Sequence, residues 1–587
     1  MTTNPRDEAI KEIIRAFAEG AKLTVAPLEI AEPEQSRGDF AVACFRFAKN
    51  SDLSPAVFAN VTVVSVTDWL NKQPNNLIDK LSASGPYINI ALKQNTFADL
   101  TIKAIREAGQ KYGHVEAPER QRVVLEYVSP NTNKPLHLGH LRNAAIGWSV
   151  AKILEAVGHE VIKTAIVNDR GIHVMKSMLA YQKWSKAWSG KKIIHETPAS
   201  AKMKGDAFVG KYYILYENKA KTDPALEKET RELLIKWEAH DEETRALWKK
   251  MNDWAIKGHK ETMERFGISF DKLYFESDIY EEGRAIVEAE AAAGQAQKNP
   301  DGSISIDLTA EGLGPKVLLR ADGTSVYITQ DIALARHRVN DWHPQKMIYV
   351  VGQEQDYQFR ALLIVLKKFG IAKDVELKHL SHHWVFLPEG RMKSREGKVV
   401  EADDLLDELP KMALKEIKQR HEKLAQTEAK KRAEIIALAA AKYYLLKSRL
   451  DSDINFNPEE SIAFTGRTGP YLLYTYARVQ SIFRKAGEVP PGNITAPKEI
   501  DEVTWQLIKL LSRFPSEVAR AAGVYDPSIV ADFSYELAQT INDFYESEPV
   551  LKADPAVRDW RLALLQAAQL VLKKSLELMG IEVLEEM

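Results

Sequence analysis

The apolar run Val123-Val124-Leu125 leads straight into the polar stretch SPNTNKPLHLGHLR at 129–142. A helical spacing of apolar residues then follows through Ile146, Val150 and Leu154. A buried strand, a tight polar turn and a helix in immediate succession restrict the fold more than any other feature of the chain. Gly139 lets the backbone approach a ligand closely. The first turn of the helix offers unpaired N–H groups and the positive end of its dipole to an anion. His137 and His140 stand beside that anion site, where imidazole N–H groups can donate to charge developing on phosphorus. The layout suits handling of a nucleoside triphosphate.

A chain of 587 residues accommodates roughly three or four domains at about 150 residues each. Hydrophobic residues make up 45% and charged residues 28%, which is ordinary for a water-soluble fold. No apolar run approaches the roughly 20 residues of a membrane span. The opening MTTNPRDEAIKEII has neither an apolar secretory core nor a basic leader, so a cytoplasmic protein without membrane attachment is expected. The single cysteine, Cys44, excludes an internal disulfide and a cysteine zinc cluster. It lies in FAVACF and is expected to pack in a core. A net charge of −2 carries no nucleic-acid signal, but residues 411–450 hold eleven Lys/Arg against four Glu. That surplus faces either solvent or a phosphate backbone.

Three regions follow from the patterning. Residues 1–115 read as a small α/β unit: Ile10, Ile13, Ile14 and Phe17 share a helical face, and Tyr87–Leu92 forms a strand after Ser84-Gly85-Pro86. The polar segment Tyr112–Glu119 reads as a linker. Residues 116–410 alternate strand and helix patterns, with strands expected at 122–128, 160–167 and 346–352. A long, polar, largely helical insertion spans about 176–315. Alternation predicts a parallel sheet covered by helices, with ligands at the C-terminal strand ends. Residues 411–587 read as all-helical.

Five ordered segments carry a resemblance: SPNTNKPLHLGHLR, VNDRGIHVMKS (167–177), DGTSVYITQDIALARHR (322–338), GRMKSREGKVVEADDLLDE (390–408) and GPYLLYTYARV (469–479). The first resembles the HIGH signature of class I aminoacyl-tRNA synthetases, and its flanks narrow the match to the arginyl family. The resemblance runs through nearly the whole chain. It implies a Rossmann-type nucleotide-binding catalytic domain with a helical insertion, a small N-terminal α/β domain touching the tRNA elbow, and an all-α anticodon-binding domain. The implied reaction forms arginyl-adenylate and pyrophosphate from L-arginine and ATP, then passes the arginyl group to the 2′-hydroxyl of the terminal adenosine of tRNA(Arg). Mg2+ would accompany ATP as substrate. No tightly bound metal or organic cofactor, no DNA partner and a monomer are expected.

The resemblance places His137, Gly139 and His140 on ATP, with His140 also bordering the amino-acid pocket. Read without it, the two histidines would also suit a metal, although no further Cys/His pair completes a tetrahedral set and HExxH is absent, and one of them would suit a capping or core role. Arginine as substrate demands buried negative charge that matches a planar fork of donors. Asp331 is the candidate, four residues after Tyr327 on one helical face. Its alternative is a surface carboxylate paired with Arg336 or Arg338. Glu126 interrupts an apolar strand, where an unpaired carboxylate is costly. Ser129, Asn131 and Gln355, with Gln353 as the alternative to the last, match family residues near the amino and carboxyl ends of the substrate.

The second class I signature appears as Arg391-Met392-Lys393-Ser394-Arg395 between Gly390 and Gly397, with Ser394 where the family pattern has its second lysine. Arg391 and Lys393 keep the loop basic, Met392 and Ser394 fall to ATP, and Lys134, three residues before His137, is the candidate for the missing cation. Tyr471, Tyr474 and Arg478, at helical spacing, are candidate tRNA contacts or a buried helix seam. The terminal Met587 is assigned to tRNA by resemblance. Rivals are another HxGH nucleotidyltransferase, a non-catalytic tRNA-binding relative and, more distantly, a metal-dependent hydrolase.

Overall fold

A computed structural model describes residues 4–23, 29–33, 37–73, 76–189, 192–388, 400–420, 423–487 and 494–587. At its centre five parallel strands lie in the order β5-β4-β1-β2-β3: β1 Arg122–Glu126, β2 Glu160–Val167, β3 Lys272–Phe275, β4 Lys346–Gly352 and β5 Glu376–His382. Val123, Val124 and Leu125 are almost completely buried, as expected for a strand covered on both faces. Strand order reverses between β1 and β4, and ligands in such sheets sit in the crevice at that reversal. The expected strands at 160–167 and 346–352 match to the residue, and the first ends at Glu126 rather than at 128.

Strand β3 lies inside the interval read as a helical insertion. Four residues, Lys272-Leu273-Tyr274-Phe275, give too short a pattern to signal a strand, and only pairing with β2 makes them one. The same interval continues through helix 276–292 into a small antiparallel sheet of strands 297–298, 304–308 and 314–319. The helical part proper includes α2 (Gly205–Ala220) and α3 (Glu242–Arg265). Its own core gathers Phe208, Tyr212, Tyr216, Trp237 and Met251.

The N-terminal unit is a four-stranded antiparallel sheet in the order 30–31, 40–43, 87–92, 78–84, with helices Pro5–Arg15, Pro55–Leu70 and Gln94–Ala108. Cys44 is buried there. This unit is not free of the rest. Asp39, in the sequence GDF, accepts from Leu92 N at 2.8 Å and from Trp505 Nε1 at 2.8 Å, with Lys509 Nζ at 3.5 Å. Phe97 packs edge-on against Trp505, with ring centroids 5.8 Å apart. The expected polar linker is also anchored. Tyr112 is buried, stacks on Phe514 and donates from its hydroxyl to Leu511 O at 3.1 Å, while Val115 N and Ala117 N donate to Ala156 O and Val157 O. A tyrosine at a linker start reads as polar in sequence, and its burial depends on a partner helix about four hundred positions away.

Among the described residues from 402 onward, the regular elements are helices joined by loops, with the two-residue strand Ile454–Asn455 as the exception. Thr468 caps the helix Gly469–Ala486 by accepting from Tyr471 N, and Pro470 sits in its first turn, the position where a missing N–H costs nothing.

Asp39→Ala would strand the buried indole N–H of Trp505 and the amide of Leu92. Urea unfolding should show a loss of about 1–3 kcal/mol. An unchanged midpoint would mean that the contact between the N-terminal unit and the helices contributes no stability.

Candidate functional site

The turn leaving β1 is held in a costly shape. Val128 has φ 74° and Ser129 φ 45°, left-handed values that a β-branched residue rarely adopts and that cost about 1–3 kcal/mol each. Two asparagines fix it. Asn143 accepts from Val128 N at 2.6 Å and donates to Val350 O of β4 at 2.7 Å, bridging the sheet's reversal point. Asn168, just after β2, donates to Ser129 O at 3.1 Å, and its backbone exchanges hydrogen bonds with Pro130 and Thr132. Neither asparagine was singled out in the sequence. Their only local signal is a polar residue at an apolar-patterned position.

Helix α1, Leu138–Ala156, begins at this turn with His137 as its N-cap. His140 Nδ1 accepts from His137 N at 3.1 Å, so a neutral His140 carries its proton on Nε2. The rings lie 3.9 Å apart, and His137 Nδ1 is buried without a hydrogen-bond partner among the described residues. A Cβ on Gly139 would come within 3.1 Å of the His137 ring, so a side chain here would have to displace that ring by a few tenths of an ångström. Burial, reinforced by Lys134, lowers the His137 imidazole to about 4. Burial, then His137 and Lys134, takes His140 well below the ordinary value. Both rings are therefore neutral donors at pH 7. Lys134 is half-buried, its ammonium has no partner among the described residues, and burial lowers its pKa. Its carbonyl accepts from His259 Nε2 at 2.9 Å, so α3 of the insertion holds the turn from outside.

Arg391, Met392, Lys393, Ser394 and Arg395 lie outside the described residues. The residues that follow are seated on the histidine turn: Leu138 N donates to Val400 O at 3.1 Å and Ala402 N to Leu136 O at 2.8 Å.

On the other side of β1 is a set of buried charges. Glu126 pairs with Arg338, and its second oxygen accepts from Ser129 Oγ at 2.8 Å. Arg338 belongs to α4, Tyr327–Trp342, and is almost wholly buried. It is thus Glu126, not Asp331, that takes Arg338, while Arg336 pairs with Glu282 at 2.9 Å. Asp331 keeps no hydrogen bond or ion pair among the described residues. Its carboxyl is pushed up to about 8 by burial, with Glu126 adding to the shift, Arg338 opposing it and Glu276 adding again. Tyr327 shares the helix and is 73% exposed. Glu276, which sequence reasoning missed, follows directly on β3 and is buried. Burial raises its carboxyl to about 7, and Arg170 lies 3.9 Å away. Its position after a strand end was the available signal, hidden because β3 itself was not recognised.

The remaining candidates divide. Asn131 is exposed and bridges to Asn168. Gln355 is exposed and Gln353 half-buried, both in the short turn that ends β4. In the helical region Asn542 donates to Tyr471 Oη and accepts from Arg478, each at 3.0 Å, so these two form the helix seam, and of the three only Tyr474 is exposed. Met587 is half-buried against the core, and its neighbour Glu586 pairs with Arg432 at 3.0 Å.

Residues 101–457 match the family model for the catalytic domain of class I (R) tRNA synthetases, and residues 472–587 match the DALR anticodon binding domain. The chain belongs to the class I arginyl-tRNA synthetase family. It is 42% identical to the arginine–tRNA ligase of Treponema pallidum over 97% of this chain and 95% of that one. It is likewise 42% identical to the one of Bacteroides thetaiotaomicron over 94% of each. The Thermus thermophilus arginyl-tRNA synthetase structure superposes with TM-score 0.76 at 26% identity, covering 98% of this chain and all of that one. The Rossmann-type sheet with its helical C-terminal region is the fold of this family. Among the described residues no helix is long and apolar enough to cross a membrane.

The raised carboxyls give a pH signature. Asp331 and Glu276 hold protons in the folded chain that the unfolded chain has already released. The stability they contribute is complete below the unfolded carboxylate pKa of about 4 and is lost as pH rises to about 8. Stability against urea of the ligand-free protein should therefore fall between about pH 4 and pH 8, and that of Asp331→Asn should fall less over that range. Equal slopes would show that Asp331 does not hold a raised pKa.

Proposed function

We propose that this chain activates L-arginine with ATP and transfers the arginyl group to the 3′-terminal adenosine of tRNA(Arg). The observation that carries the reading is the charge deficit beside β1. Asp331 feels both Glu126 and Glu276, the one cation acting on it, Arg338, is already paired with Glu126, and Asp331 has no bonded partner among the described residues. A guanidinium supplies a planar, permanently charged fork of donors that fits such a place. Its arrival would draw the Asp331 proton off, because an opposite charge nearby favours the carboxylate.

The chemistry then needs positioning and neutralisation more than covalent help. An oxygen of the arginine carboxylate bonds to the α-phosphorus of ATP, the bond from that phosphorus to the bridging oxygen breaks, and pyrophosphate leaves with the electron pair. His137, His140 and the first N–H groups of α1 face the phosphates. The neutral rings donate hydrogen bonds without presenting a proton that could be lost to the leaving group. Lys134 supplies a mobile positive charge next to them. Mg2+ enters with ATP and adds charge neutralisation on the phosphates. In the second step the 2′-hydroxyl of the terminal adenosine attacks the adenylate carbonyl and AMP departs. Gln353 or Gln355, Asn131 and Ser129 stand at the strand ends where the α-amino and carboxylate groups of arginine would lie. Tyr474 is the candidate for stacking on an unpaired base, and a monomer working in the cytoplasm is the simplest setting.

The direct test is aminoacylation of total tRNA with each labelled amino acid in turn; charging with an amino acid other than arginine alone would reject the reading. Asp331→Asn should raise the arginine KM by the equivalent of about 3–5 kcal/mol, the cost of leaving one partner of a desolvated pair alone, with little change in the KM for ATP. An unaltered arginine KM would remove Asp331 from the substrate. Lys134→Ala should slow single-turnover adenylate formation about 10²-fold, the scale of losing one preorganised stabilising group. A normal rate would assign the phosphate charge to other cations.

A further inference from the structure

Two residues beyond His140, Arg142 is wholly buried, yet no carboxylate lies within ion-pair distance of it among the described residues. Its guanidinium is held by backbone carbonyls alone. Nη1 donates to His383 O at 2.8 Å and Trp384 O at 2.9 Å. Nη2 donates to Ser452 O at 2.9 Å, with Arg449 O at 3.3 Å and Leu450 O at 3.5 Å. The first pair follows β5 of the catalytic sheet. The other three form the turn after the helix Gln426–Leu446, in the helical half of the chain. The two acceptor segments are also stitched to each other: His383 N donates to Leu450 O at 2.9 Å, Ile454 N to Trp384 O at 2.9 Å and Trp384 N to Asp453 Oδ1 at 3.1 Å.

One side chain therefore joins three bodies: the helix whose first turn carries the two histidines, the end of the sheet, and the turn 449–452. An apolar residue would fill this space without the expense of burying a charge on neutral dipoles. A lysine could not replace it, because three donors on one nitrogen cannot serve the two separate carbonyl groups that Nη1 and Nη2 reach. What the guanidinium contributes is a fixed geometry between the helical region and α1. A displacement of turn 449–452 must either break these hydrogen bonds or carry the start of α1 with it.

We propose that Arg142 is a positioning residue that makes the phosphate-facing end of α1 respond to tRNA bound on the helical region. The proposal rests on the reaction assigned above. Asp453 serves the same linkage from outside, since its carboxylate holds Trp384 N while Trp384 O receives Arg142.

The test is arginine-dependent ATP–pyrophosphate exchange, with and without tRNA(Arg) ending in 2′,3′-dideoxyadenosine, so that transfer is blocked. Wild type, Arg142→Lys and Asp453→Ala are compared, with folding checked by circular dichroism. The added tRNA should accelerate exchange in the wild-type chain. Both variants should lose about fivefold or more of that acceleration, while the arginine KM stays within about twofold. A purely structural role would lower the melting temperature and leave the acceleration in the folded fraction intact. Should Arg142→Lys fail to fold, Asp453→Ala decides, because its side chain is 52% exposed. Acceleration retained in a folded variant, or absent from the wild type, overturns the proposal. Exchange that never depends on arginine would instead overturn the reaction assignment, and this proposal with it.

Discussion

A buried carboxylate–guanidinium pair, Glu126 with Arg338, joins the end of β1 to helix α4. Everything about the site is arranged around it. The turn that leads to the two histidines departs from β1 within three residues of Glu126, and Ser129 of that turn donates to the same carboxylate. Asp331 is carried on the helix that brings Arg338. Removing either partner would leave a buried charge alone, at a cost of about 3–5 kcal/mol. The pair thus fixes the spacing between the histidine turn and the helix that carries Asp331.

The pair also decides which carboxylate stays available. Arg338 neutralises Glu126, so the half-buried Asp331 and the buried Glu276 keep raised pKa values and no close, strong partner. Desolvated carboxylates of this kind are costly in the empty protein and gain most when a permanent cation arrives. Under the proposed function, selectivity for a guanidinium would follow from that imbalance: a neutral side chain would bring no counter-charge, and an ammonium could not present two parallel donors.

The outer parts of the molecule are fastened to this centre by polar contacts that span great sequence distances. His259 on the insertion holds the carbonyl of Lys134, Asp39 in the N-terminal unit receives Trp505, and Arg142 gathers carbonyls from both halves of the chain. Each is a buried polar group satisfied by a partner from another region. Buried donors and acceptors must be paired, so these residues tie the mutual placement of the regions to their own hydrogen bonds.

The sequence by itself determined the elements whose signal is local. Val123–Leu125 and the spacing Ile146, Val150, Leu154 are periodic, Gly139 and the two histidines mark a strand-to-helix turn, and Tyr327 with Asp331 falls on one helical face. These follow from short-range sterics and hydrophobic period. Only the tertiary structure decided that β3, too short to announce itself, closes the edge of the sheet and delivers Glu276. Only it decided that Arg338 belongs to Glu126 and leaves Asp331 unpaired, that Asn143 and Asn168 hold the strained turn at Val128 and Ser129, and that Tyr471 and Arg478 are committed to Asn542. The physical reason is common to all of them. A hydrogen bond or ion pair between residues 212 positions apart leaves no trace in either neighbourhood except a polar residue where an apolar one would be expected, and its partner is chosen by how the elements pack.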